Sequence, residues 1–167
     1  MDDDVRLVAA GHTRFGADGD APPRVFVTSG GCRIVYQHSP GSDPAKTPLV
    51  LVGGGTTGRA EACELYGAES AVWSERAVVI FDRRNTGASD VLYHRGGAPR
   101  ESETLRAENE EQCDDLAELL RSLRITRVAL LGHSSGARLV GMYAARHVET
   151  VESIVLVDPT GGKKAAA

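Results

Sequence analysis

The chain is poor in the features that mark secreted, membrane-spanning or nucleic-acid-binding proteins. Its three cysteines, Cys32, Cys63 and Cys113, are widely spaced, odd in number and form no C-x-x-C pair. This pattern excludes a disulfide framework and the common zinc spacings, and it fits reduced thiols. Apolar residues make up 41% of the 167 positions, yet no run is long enough to span a bilayer. The net charge is −4, and the basic pairs Arg83-Arg84 and Lys163-Lys164 are isolated. No patch is dense enough for nucleic acid. Met1-Asp2-Asp3-Asp4 is the opposite of a signal-peptide start, and no apolar stretch follows it. A cytoplasmic protein without membrane or nucleic-acid partners is expected.

What is present is one domain's worth of chain with a large enough core to fold. Residues 1–23, rich in Asp and Gly and ending in Pro22-Pro23, read as a flexible leader. Val25–Thr28 and Ile34–His38 are β-prone runs around Ser29-Gly30-Gly31, which predicts a hairpin. Leu49–Val52 and Val78–Phe81 are short continuous apolar runs, the pattern of strands buried on both faces. Arg59 to about Trp73 reads as helix, and 82–100 as a long loop. Glu101–Leu123 is the longest helical pattern, with acids early and Arg121 and Arg124 late, as the helix dipole favours. Arg127–Leu131 reads as strand, Ser135 to His147 as helix and Ser153–Val157 as a last strand. This alternation predicts an α/β fold, a mostly parallel sheet with helices on both faces, over residues 24–162. Residues 163–167 are low in complexity and expected to be disordered.

The chemistry concentrates in Gly132-His133-Ser134-Ser135-Gly136, which follows an apolar strand and opens a helix. G-x-S-x-G in that setting is a nucleophile elbow: the turn pushes the serine beyond the sheet edge, and the glycines leave room for it. An acyl-transferring Ser134 needs a base, and the sequence offers few. His147 is the one histidine that follows Ser134, at the far end of a helix of roughly 20 Å, which rules it out. His133 is expected to pack at the elbow, and His94 lies in a loop long enough to approach it. The simpler reading of the motif is a tight strand–helix turn with an inert serine.

Leu49–Gly55, the loop Asp82–Asp90, Gly132–Gly136 and Ser153–Pro159 together resemble, in order and spacing, the α/β-hydrolase superfamily. The loop D-x-R-x-x-G-x-S-D is similar to that of its proline iminopeptidase and esterase branch. The resemblance implies Ser134 as nucleophile at the end of the fifth strand. It implies the backbone N–H groups of Ser135 and Gly55 as the oxyanion hole, with Gly53 standing where the family usually has histidine. It implies a small-molecule ester, amide or related acyl substrate and no metal or cofactor. The family's acid and histidine come late, in the order Ser…Asp/Glu…His. This chain therefore reads as truncated after the sixth strand, with the base and acid missing and inactive by itself. Asp158, where some members hold the acid, is expected in a turn or cap at Pro159. An apolar sixth strand without a seventh predicts self-association or a complementing chain at that edge.

A rival reading uses the same residues differently. Gly53-Gly54-Gly55-Thr56-Thr57-Gly58 also spells G-x-G-x-x-G, and Asp82 ends the next strand where a dinucleotide fold places its ribose-binding acid. A P-loop is excluded, because Arg59-Ala60 stands where lysine and a hydroxyl are needed. A non-catalytic module of the same fold remains the other alternative. Bland roles are expected for Arg83 and Arg84 (solvated or paired to acids), Glu108–Glu111 (a solvated helix face), and Trp73 and Tyr143 (core).

Overall fold

The structure, a computed structural model, describes residues 21–55, 58–66, 72–91 and 102–160. Most of the expected leader and the whole tail lie outside these residues, as does His94. Six strands form one sheet: β1 (Arg24–Val27), β2 (Arg33–Ser39), β3 (Leu49–Val52), β4 (Val78–Phe81), β5 (Val128–His133) and β6 (Val151–Val157). Their spatial order is β1-β2-β4-β3-β5-β6. β1 and β2 form the expected hairpin, and β2 runs antiparallel to β4. The β4–β3, β3–β5 and β5–β6 pairs are parallel.

The helices are α1 (Arg59–Tyr66), α2 (Val72–Glu75), α3 (Ser102–Ser122) and α4 (Ser135–Arg146). They divide between the two faces as strand periodicity requires. Val50, Val52, Val79, Phe81, Val128 and Leu130 pack on Cys113, Leu116 and Leu119 of α3 and on Leu139, Val140 and Tyr143 of α4. The alternate residues Leu49, Leu51, Val78, Ile80 and Ala129 pack on Ala62 and Cys63 of α1. Of the helical segment expected from Arg59 to about Trp73, α1 and the start of α2 are described, and residues 67–71 lie outside the described residues.

The described part of the loop after β4, residues 82–91, lies against the protein rather than in solvent. The Asp82 N–H donates to the Val35 carbonyl at 2.8 Å, and the Ser89 hydroxyl accepts from the Val35 N–H at 2.8 Å while donating to the Asp82 carbonyl at 2.6 Å. Two polar residues thereby act as a short continuation of the sheet beside β2. Arg84 pairs with buried Asp115 and with Glu111, and Asn85 donates to Glu108 at 2.6 Å. The acidic stretch of α3 expected to be a solvated face thus anchors the loop through these two glutamates. The hydrogen bonds to Asp115 hold the Arg84 guanidinium above its ordinary pKa.

The hairpin is clamped to α3 by Ser29, whose N–H and hydroxyl donate to the two Glu118 oxygens at 2.7 and 2.6 Å. These bonds hold the Glu118 carboxyl below its ordinary value of 4.5. A carboxylate depressed in the folded state contributes stability that is full above its unfolded pKa and is lost as pH falls through the folded one. The stability difference between the wild type and Glu118→Gln should accordingly shrink as pH drops below about 4.5. Urea midpoints measured at several pH values check this.

Candidate active site

The site is assembled where β3, β4 and β5 end on the same side of the parallel sheet. β5 runs two residues further than its apolar stretch, through Gly132 to His133, so that Ser134 is the single residue between strand and helix. Ser134 has φ 52° and ψ −118°, a left-handed conformation that a non-glycine residue adopts only under constraint. The constraint is steric closeness. A Cβ on Gly132 would sit 2.5 Å from the Gly136 carbonyl, and one on Gly136 would sit 2.3 Å from the Val52 carbonyl. Strand and helix therefore meet backbone to backbone, and the serine is the residue forced outward.

Serine at a helix start usually caps it with its own hydroxyl. Ser134 does not cap α4, and its Oγ makes no hydrogen bond among the described residues. Its backbone is held instead by β6: the Ser134 N–H donates to the Val157 carbonyl at 2.9 Å, and the Thr160 N–H donates to the Ser134 carbonyl at 3.4 Å. α4 carries no acidic residue in its first turn, so the positive end of its dipole faces the site uncompensated. The Ser135 N–H has no acceptor among the described residues, as expected for the first residue of a helix.

The glycine loop after β3 reaches the same place. A Cβ on Gly54 would lie 2.7 Å from Ser134 Cβ, so only glycine allows the loop to touch the elbow. Gly55 has φ 48° and exposes its backbone, and its carbonyl accepts from Arg83 at 2.8 Å. Ser134, Ser135 and Gly55 are thus brought to one location. Arg83 also donates to the Ser135 hydroxyl at 3.1 Å, so it is neither solvated nor ion-paired among the described residues, contrary to expectation.

His133 is not a simple packing residue. Its Nδ1 lies 2.6 Å from Glu61 Oε1, joining the end of β5 to the first turn of α1. Nothing in the sequence singled out Glu61, because a first-turn glutamate is ordinary helix chemistry. His147 sits at the C-terminal cap of α4, its ring stacked on Tyr143 at 4.4 Å, far from the serine as expected. Asp158 follows β6 with φ 44° and is exposed; its carboxylate makes no side-chain hydrogen bond among the described residues.

Asp82 does not behave as a ribose ligand. It is 2% exposed and accepts from the Arg59 N–H at 2.7 Å, Arg59 Nε at 3.0 Å and the Ala88 N–H at 3.0 Å. Its oxygens are spent inside the protein, which removes the acid on which the dinucleotide reading depends. Among the described residues, no three His, Cys, Asp or Glu side chains are grouped to hold a metal ion. No helix there is long and apolar enough to cross a membrane.

The family model of the alpha/beta hydrolase fold matches residues 47–165. The chain belongs to the alpha/beta hydrolase family. It is 28% identical over 130 residues to the 1-acylglycerol-3-phosphate O-acyltransferase ABHD5 of Rattus norvegicus, covering 77% of this chain and 33% of that one. It is 24% identical over 134 residues to the proline iminopeptidase of Heyndrickxia coagulans, covering 80% and 42%. Among solved structures, the esterase RhEst1 from a Rhodococcus species superposes with a TM-score of 0.61 at 27% identity, covering 82% of this chain and 46% of that one. The chain therefore spans less than half the length of each of these proteins. What it shares with them is the alpha/beta hydrolase fold.

Proposed function

We propose that this hydrolase-family chain carries the nucleophilic half of a serine hydrolase site. Ser134 attacks the carbonyl of a small ester, amide or related acyl substrate, and the N–H groups of Gly55 and Ser135 receive the oxyanion. The observation that carries this reading is the left-handed Ser134 at the strand–helix junction, with a hydroxyl that neither caps the helix nor bonds elsewhere among the described residues. The acyltransferase, iminopeptidase and esterase to which the chain is similar all work on acyl groups, which supports the substrate class.

Proton transfer requires a histidine–acid pair. His133 and Glu61 form such a pair beside the serine, but Ser134 Oγ has no hydrogen bond to it. No base is therefore assigned among the described residues, and our reading is that a complementing chain at the β6 edge supplies it. That edge has no strand partner among the described residues, and Ile154, Val155, Leu156 and Val157 are all exposed on it. A row of free backbone groups flanked by apolar side chains is a template for another strand. The chain alone should therefore associate as concentration rises, and Val155→Lys should shift it toward monomer in size-exclusion chromatography with light scattering. A monodisperse wild-type monomer at high concentration would contradict the open-edge account.

The second reading, a non-catalytic module, is favoured by His133, whose described hydrogen bond goes to Glu61 and not to Ser134. Imidazole separates the two, because a free imidazole can stand in for a missing histidine. In its presence the wild type should hydrolyse p-nitrophenyl butyrate above the imidazole background, and Ser134→Ala should not. Equal rates for the two proteins would favour the non-catalytic module.

A further inference from the structure

Arg83 stands apart from the other arginines around the site. Arg59 is paired with Asp82, and Arg84 with Asp115 and Glu111. Arg83 is 5% exposed and makes no ion pair among the described residues. Its Nε is buried without a hydrogen-bond partner among the described residues. A buried guanidinium in this state is costly, because no carboxylate among the described residues pairs with it to offset the lost hydration. Burial accordingly pushes its pKa down, with the more distant charges of Glu61, Glu108 and Asp82 acting in the opposite direction.

Among the described residues, Nη2 of Arg83 bonds at two places. Nη2 donates to the Gly55 carbonyl at 2.8 Å and to the Ser135 hydroxyl at 3.1 Å. These two residues belong to different elements: one is in the glycine loop after β3, the other opens α4. They are also the two residues whose N–H groups were assigned to the oxyanion.

We propose that Arg83 is the positioning residue of the oxyanion site, tying the Gly55 carbonyl to the Ser135 hydroxyl so that the two N–H donors keep one fixed separation. This inference rests on the hydrolase reading of Ser134. The need for such a tie follows from the sequence. Gly53-Gly54-Gly55 has no side chain with which to fix itself, and glycine is the residue with the most backbone freedom to lose. Gly54 is held by its contact with Ser134, but nothing lies within 4 Å of a Cβ position on Gly55. The Arg83 hydrogen bond to its carbonyl supplies the missing restraint. The N–H of Gly55 is then held from both sides, by the wedged Gly54 before it and by the anchored carbonyl after it. Preorganised donors need no rearrangement as charge develops, which is where most of their value lies.

The guanidinium is also suited to the task in a way lysine is not. Its planar head directs donors along fixed lines, whereas an ammonium is a freely rotating point charge. A lysine at the same position should therefore recover only a small part of the function.

The test measures phosphonylation of Ser134 by a fluorophosphonate at saturating imidazole, together with thermal unfolding, in the wild type, Arg83→Met, Arg83→Lys and Ser135→Ala. Misplacement by about an ångström can cost on the order of 10²-fold in rate. Arg83→Met should accordingly label roughly 10²-fold more slowly while remaining folded, since replacing an unpaired buried charge with an apolar side chain is often close to neutral in stability. Ser135→Ala cuts one arm of the tie and should lose about tenfold, the worth of one hydrogen bond. Arg83→Lys should lie much nearer to Arg83→Met than to wild type. Wild-type labelling rates in folded Arg83→Met overturn the proposal. Should that variant unfold, an unchanged rate in Ser135→Ala overturns it instead. Failure of the wild type to label at Ser134 is a different result and removes the hydrolase reading itself.

Discussion

Replacing Asp82 with alanine is expected to destabilise the fold by about 3–5 kcal/mol, the loss typical of breaking a buried ion pair by removing one partner. The pair is well enclosed: Asp82 is 2% exposed and the Arg59 side chain 11%. One carboxylate satisfies the N–H that opens α1, the Arg59 guanidinium and the Ala88 N–H. Without it, Arg59 keeps its hydrogen bond to Gln37 but loses its counter-charge. Glycines at 58 and 87 close over the carboxylate, and a Cβ on either would approach it to 2.4 or 2.3 Å. No larger side chain can refill the space without moving that backbone. Urea unfolding of wild type, Asp82→Ala and Asp82→Asn checks this. Asparagine should cost less than alanine because it can still accept hydrogen bonds. A loss below about 1 kcal/mol in the alanine variant would place the pair among ordinary surface contacts.

The second large effect concerns chemistry. Ser134→Ala should remove nearly all of the protein-dependent ester hydrolysis seen with imidazole, while leaving the fold intact. The substitution deletes one hydroxyl that has no hydrogen bond among the described residues, so stability should change little. A β-carbon remains, so the left-handed turn with its strain is retained. The oxyanion donors and the α4 dipole also remain, and they can leave a trace of catalysis even without a nucleophile. That remainder should no longer form a covalent intermediate, so any burst of p-nitrophenol should vanish with the serine.

Those parts of the fold governed by apolar runs were legible in the sequence. β3 and β4 begin and end where four consecutive apolar residues do, because a strand buried on both faces admits no polar side chain. β6 begins two residues before the expected start at Ser153, at Val151-Glu152, since backbone pairing with β5 continues beyond the apolar stretch. The elbow was legible because its glycines mark a close backbone approach that any side chain would block. The loop after β4 was harder. Arg83 read as solvated or paired to acids and nothing marked Thr86 or Ser89 for burial, yet all three are buried, with partners supplied by β2, the glycine loop and the loop itself. Partners 28 to 54 positions away leave no local periodic signal. Glu61 was missed for the same reason: its contact with His133 spans 72 positions.

The central claim is that Ser134 is a nucleophile presented in working geometry, with no base bonded to it among the described residues. Its most direct test is intact-mass and peptide-mapping mass spectrometry of the chain after exposure to a fluorophosphonate across a range of imidazole concentrations. The account predicts a single adduct on the peptide containing Ser134, forming faster as imidazole rises and absent from Ser134→Ala. No adduct at Ser134 at any imidazole concentration, or labelling elsewhere that persists unchanged in Ser134→Ala, would contradict it.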